Sequence, residues 1–181
     1  MLVKEKSKAE VEAKAGSMSD FLKMEYLEEC LKGNFSFDIK RFCNLNLAKI
    51  YEGRNMFSEA AKKMDAVGEI SVTFREKKEA YMKAVELFIK GEYYDKADFA
   101  LRKALDSCSL NEKKEIKTAV AKLLKEQAGV YEKENKRGKA VKAYGHLYRI
   151  SEEEKAEIKQ KLLDLYSKLG MMREFNMLRG S

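Results

Sequence analysis

Proline and tryptophan are absent from this chain, and its 181 residues include only three cysteines and one histidine. Each shortage excludes something. With no proline and only ten glycines, helices can run long with few breakers. Cys30, Cys43 and Cys108 are odd in number and show no CxxC spacing, which argues against a disulfide framework or a zinc centre. Three free thiols suit a reducing compartment, so a cytoplasmic location is expected. A lone His146 cannot assemble a metal site or a catalytic group by itself. No P-loop, GxGxxG or GxSxG occurs, and those motifs carry phosphate, dinucleotide and acyl-transfer chemistry. No enzyme activity, catalytic residue, metal or cofactor is therefore expected. No run of about 18 apolar residues exists, so no transmembrane helix is expected. The opening MLVKEKSKAEVEAKAG is too charged for a secretory signal. No segment sustains the alternation of a half-buried strand.

What the chain does contain is helix-forming. Charged residues make up 37% and hydrophobic residues 45%, with Lys and Glu, both good helix formers, prominent. The class expected is all-α. The net charge of +7 is uneven: residues 111–150 hold 11 Lys/Arg against 5 Asp/Glu. Such a basic segment attracts acidic protein, nucleic acid or anionic lipid without specificity.

Residues 1–18 carry few large apolar side chains and are expected to form a frayed helix or a flexible tail. Residues 19–181 are expected to form a single domain. Ser19-Asp20 is a plausible N-cap pair for a helix over 20–32, with Phe21, Met24, Leu27 and Leu31 at helical spacing. Phe35 and Phe37 fall in the following loop and are expected to tuck against the stack. A helix from about Asp38 to Glu52 turns at Gly53-Arg54-Asn55 into a partner ending near Val67, with Gly68 as its stop. Further on, Ser151 and Glu154 have the spacing of a capping box.

A pattern recurs four times. Tyr51 follows Ala48 by three residues and precedes Ala60 by nine. Val85, Phe88 and Ala97 repeat this, as do Ala128, Tyr131 and Ala140, and then Leu163, Tyr166 and Phe175. The nine-residue interval is constant, whereas successive aromatics are 37, 43 and 35 residues apart. A constant interval marks the turn inside a helical hairpin, where two helices meet at a fixed angle. The variable part falls between hairpins, where a helix can gain a turn. The repeating aromatics are expected in the core. Units are expected at about 38–70, 74–108, 112–150 and 152–179.

This texture resembles the tetratricopeptide (TPR) repeat family over about residues 41–179. It is carried by Leu47, Ala48, Tyr51, Phe57 and Ala60, by Tyr81, Phe88, Tyr94, Ala97 and Ala104, by Ala128, Tyr131 and Ala140, and by Leu162, Leu163, Tyr166 and Gly170. The chain departs from the family in its longer spacings, in lacking the closing proline, and in placing Asn44, Tyr81, Leu124 and Lys159 where the first-helix Trp belongs. Its longer units are similar to the elongated TPR-like hairpins of the SNAP adaptor family. The resemblance implies a right-handed superhelix of antiparallel helical hairpins, an α-solenoid.

It also implies a non-enzymatic scaffold or adaptor whose concave groove holds a peptide or helix of another protein. First helices would line that groove with Phe42, Leu45 and Lys49, then Met82, Glu86 and Ile89, then Lys125. The family's clamp for a C-terminal carboxylate is not expected: Leu45, Lys49, Lys83 and Glu126 occupy its positions, and only Lys122 fits. An alternative is a basic helical-repeat protein binding nucleic acid or an anionic surface through residues 111–150, with Lys133, Lys136, Arg137, Lys139 and Lys142 as the patch. Met171, Met172, Phe175 and Leu178 would lie on a short terminal helix with no later layer to cover them; either that helix folds over as a cap, or it is a site for self-association.

Overall fold

The computed structural model describes residues 4–5, 7–106 and 108–180. Among these residues there are ten α-helices and no strand, so the chain is all-α. Within each of the two units below, helices adjacent in sequence pack on one another. The chain divides into two compact units, Met1–Cys108 and Ser109–Ser181.

The first unit holds α1 (Lys8–Gly16), α2 (Asp20–Lys32), α3 (Phe37–Gly53), α4 (Phe57–Ile70), α5 (Phe74–Lys90) and α6 (Tyr94–Asp106). Of the segment expected to be frayed or flexible, residues 1–3 and 6 lie outside the described residues. The rest contains α1, which contacts α2 and α3 and buries Val11 and Ala15. Ser7 caps it by accepting from the Glu10 backbone N–H. Helix α2 starts after Ser19, as its sequence suggests, but its buried face is Tyr26, Leu27 and Cys30. Phe21 is 69% exposed.

Charged side chains tie alternate helices of this unit. Arg41 of α3 donates to Glu76 of α5 at 2.6 Å, and Lys83 of α5 donates to Glu52 of α3 at 2.9 Å. Lys103 of α6 reaches both Asp65 and Glu69 of α4, at 2.8 and 2.9 Å. Glu28 of α2 accepts from the Tyr51 hydroxyl and pairs with Lys63 of α4. Helix α5 is flanked on several sides, so its buried set is broad: Ala80, Tyr81, Ala84, Val85, Leu87, Phe88 and Ile89.

The second unit holds α7 (Leu110–Lys133), α8 (Arg137–Ile150), α9 (Lys155–Leu169) and α10 (Met172–Gly180). Glu132 of α7 accepts from the Tyr144 hydroxyl of α8 at 2.6 Å, and Lys161 of α9 approaches both groups.

The nine-residue interval has a backbone cause. The carbonyl of each repeating aromatic accepts from the N–H five residues on: Tyr51 from Met56, Phe88 from Tyr93, Tyr131 from Lys136 and Tyr166 from Met171, all at 2.8–2.9 Å. The carbonyl of that fifth residue then accepts from the N–H of the ninth, Ala60, Ala97, Ala140 or Phe175. The residue between them is left-handed in every case: Asn55 (φ 59°), Glu92 (φ 65°), Asn135 (φ 58°) and Gly170 (φ 69°). Each also donates to the carbonyl three residues earlier. This is a Schellman ending, in which one left-handed residue satisfies two late carbonyls and stops the helix. Two hydrogen bonds laid end to end thus set the interval at nine.

Tyr51, Phe88 and Tyr131 are buried, as are Ala60, Ala97 and Ala140 at the ninth position. Tyr166 and Phe175 are half-buried. Phe37 is 71% exposed and does not tuck inward, whereas Phe35 covers Gly33. Gly68 does not stop α4; it lies inside the helix and is buried.

Candidate functional site

The expected groove residues of the first unit lie on α3 and α5, which the ion pairs Arg41–Glu76 and Glu52–Lys83 connect. Phe42 and Leu45 of α3 and Met82 of α5 are half-buried, and Lys49 is exposed. Ile89 is 2% exposed; it belongs to the core and presents nothing to a partner. Its helical position turns it inward because α5 is packed by α4 on one side and α6 on another. Glu86 is half-buried. Burial alone would raise its pKa, but hydrogen bonds from Lys90 at 2.6 Å and from Lys83 outweigh this and hold it below the usual carboxylate range. Lys83 faces the opposite balance: burial lowers its pKa, and the Glu52 hydrogen bond with the Glu86 charge raises it overall. The surface of α3 and α5 therefore joins an apolar patch to an internally neutralised charge cluster.

In the second unit the basic residues at the α7–α8 turn are all exposed: Lys133, Lys136, Arg137, Lys139 and Lys142. Lys136 pairs with Glu134 at 2.8 Å, and Lys139 lies over the Tyr131 ring, 5.7 Å from its centre. Helix α10 buries no residue completely; Met172 is 55% and Met177 67% exposed, and Phe175 and Leu178 are half-buried.

Lys125, the expected groove residue of the second unit, is half-buried. It belongs to a cleft of about 310 Å³ between α7 and the α8–α9 connection. Lys114, Lys117, Thr118, Ala121, Lys122 and Lys125 form one wall, and Ile150 to Glu154 form the other. Those six α7 positions are spaced 0, 3, 4, 7, 8 and 11 along the chain, which makes them one continuous stripe on a helix. Lys125 donates to Glu154 at 2.9 Å, and Lys114 lies 3.6 Å from Glu153.

The expected capping box at Ser151 and Glu154 does not form. Ser151 instead ends α8, donating its N–H to Leu147, and α9 begins at Lys155. Glu153 and Glu154 face α7, where the lysines offer opposite charge, while Glu152 pairs with Lys155. Capping boxes occur where they were not anticipated, at Thr73 with Glu76 and at Ser109 with Glu112. The cleft was also not anticipated. Its signal in the sequence was the lysine spacing in 114–125 followed by Glu152-Glu153-Glu154.

The chain matches no protein-family model and no curated protein. Among the described residues, no helix is long and apolar enough to cross a membrane.

Proposed function

We propose that the chain is a TPR-like helical repeat protein, with the hairpins of each unit stacked as in an α-solenoid, and that it acts as a non-enzymatic scaffold for another protein. The observation that carries this reading is the fourfold Schellman junction. Each copy places a left-handed residue four after the aromatic and a packing residue nine after it. A chain that repeats one backbone junction has built a rigid frame whose side chains between the packing positions are free to vary. The α3–α5 surface with Phe42, Leu45, Lys49, Met82 and Glu86 is the face offered to a peptide or helix. Half-buried apolar groups supply contact area, and the charged cluster beside them supplies orientation.

A pull-down from native lysate tests this with wild type and a Phe42→Asp, Met82→Asp variant, their folds compared by circular dichroism. Loss of the captured protein at unchanged helicity is expected. Equal capture by a folded variant rejects the α3–α5 surface.

A second reading, binding of nucleic acid or an anionic surface, rests on Lys133, Arg137 and Lys142, which are exposed. Such binding must weaken steeply with salt. Its absence at low salt ends that reading.

A further inference from the structure

Helix α7 has 24 residues, whereas α3 and α5 have 17 each. The surplus is about two helical turns, and it accounts for the long 43-residue step between Phe88 and Tyr131. Helix α8 has only 14 residues, so the N-terminal part of α7 extends past the α8–α9 connection, and the lysine-faced cleft opens there.

We propose that this cleft docks an acidic peptide segment of a partner protein, and that Glu153 and Glu154 of the chain itself occupy part of it until the partner arrives. This rests on the protein-scaffold reading and gives it a site and a ligand chemistry.

Three observations combine. First, four of the six α7 residues lining the cleft are lysines, and the two between them, Thr118 and Ala121, are small. The stripe is positive and has room above its middle. Second, the lysines are unequally satisfied. Lys114 and Lys125, at the two ends, hold Glu153 and Glu154, while Lys117 and Lys122, in the middle, are exposed and enter no ion pair among the described residues. Third, Glu154 forgoes a capping box with Ser151 and faces Lys125 instead. The cleft thus already shows its preference for side-chain carboxylates, using the chain's own.

Glu153 is easily released. The Lys114–Glu153 pair is 3.6 Å long with side chains 80% and 75% exposed, a geometry in which ion pairs contribute little. An incoming acidic segment meets Lys117 and Lys122 first and then competes for Lys114. Ile150, Ser151 and Thr118 add an apolar contact and hydroxyls suited to a peptide backbone. A nucleic acid is disfavoured. Among the described residues, no aromatic side chain lines the cleft to stack a base.

The test is fluorescence anisotropy with a labelled oligoglutamate peptide and, in parallel, a labelled single-stranded oligonucleotide, at low and physiological salt. Four proteins are compared: wild type, Lys117→Glu/Lys122→Glu, Glu152→Gln/Glu153→Gln/Glu154→Gln, and Lys133→Glu/Arg137→Glu. Because Lys117 and Lys122 are exposed and carry no ion pair among the described residues, the first variant should keep its helicity.

Peptide affinity is expected to fall roughly tenfold or more in Lys117→Glu/Lys122→Glu. It should rise about threefold or more in the triple glutamine variant, because removing the internal occupant raises the fraction of open cleft. It should be nearly unchanged in Lys133→Glu/Arg137→Glu. Absence of peptide binding to both wild type and the triple glutamine variant overturns the proposal. So does binding of the oligonucleotide in preference to the peptide. If only Lys133→Glu/Arg137→Glu abolishes peptide binding, the cleft is rejected while an acidic protein partner, and with it the scaffold reading, stands.

Discussion

The ring of Tyr81 lies directly against the backbone of Gly68, so closely that a Cβ at Gly68 would overlap it. Tyr81 lies on the buried face of α5, and Gly68 lies in the last turns of α4. The glycine is there to let an aromatic through, and α4 continues past it to Ile70. Helix glycines cost about 1 kcal/mol relative to alanine, a cost the close approach of the two helices offsets. Gly68→Ala is expected to destabilise the protein by about 1–3 kcal/mol, because an added methyl in a packed contact forces displacement. Urea denaturation measures this. Combining it with Tyr81→Leu should cost less than the two single changes together, since the smaller side chain leaves room for the methyl.

Glu92 is the one junction residue that is neither glycine nor asparagine among the four left-handed positions. A side chain in that region costs about 1–2 kcal/mol, and asparagine tolerates it better. Glu92→Asn should therefore stabilise by a few tenths to about 1 kcal/mol, and Gly170→Ala should destabilise by about 1–2 kcal/mol. Thermal unfolding of the two variants, measured together, should move in opposite directions.

Alkaline pH should unfold the protein through its buried tyrosines. Burial, and then the hydrogen bond to Glu28, push the Tyr51 hydroxyl up to about 12 from its ordinary 10.0. Tyr26, Tyr81, Tyr144 and Tyr166 are raised too, each first by burial. A raised folded-state pKa means the folded chain holds the proton more tightly. The stability from the neutral hydroxyls is complete below pH 10.0 and is lost as pH rises toward about 12 for Tyr51. Tyrosinate absorbance and helicity should change together over that window. Tyr51→Phe should lessen the loss. If tyrosinate absorbance rises fully below the unfolding transition, the side chains titrate freely and burial has not raised them.

Ile89 and Met82 should respond differently to the same change. Ile89 is buried and Met82 half-buried. Ile89→Asp is expected to cost roughly 4 kcal/mol or more, because it puts an unpaired charge in the core. Met82→Asp should cost about half as much or less, since its head can stay hydrated. Denaturant midpoints compare them directly. Similar losses at both positions would mean that Met82 belongs to the core and that the α3–α5 surface is narrower than proposed.

Sequence alone determined the helical class and the hairpin junction. Missing proline, few glycines and amphipathic periodicity leave a chain little other than helix. The interval from Tyr51 to Ala60 is legible because it is local: two backbone hydrogen bonds and one left-handed residue fix it whatever surrounds it. Several assignments needed the tertiary structure. Gly68 reads as a stop in isolation, and only the ring of Tyr81 on the next helix explains its place inside α4. Ile89 reads as a groove residue by spacing, and only the packing of α4 and α6 around α5 buries it. Ser151 and Glu154 read as a cap, and only the lysine stripe of α7 draws that carboxylate away. Local hydrogen bonding acts between neighbours in sequence and is written there. Burial and charge pairing act between neighbours in space, 13 residues apart for Gly68 and Tyr81 and 29 for Lys125 and Glu154, and folding alone brings those together.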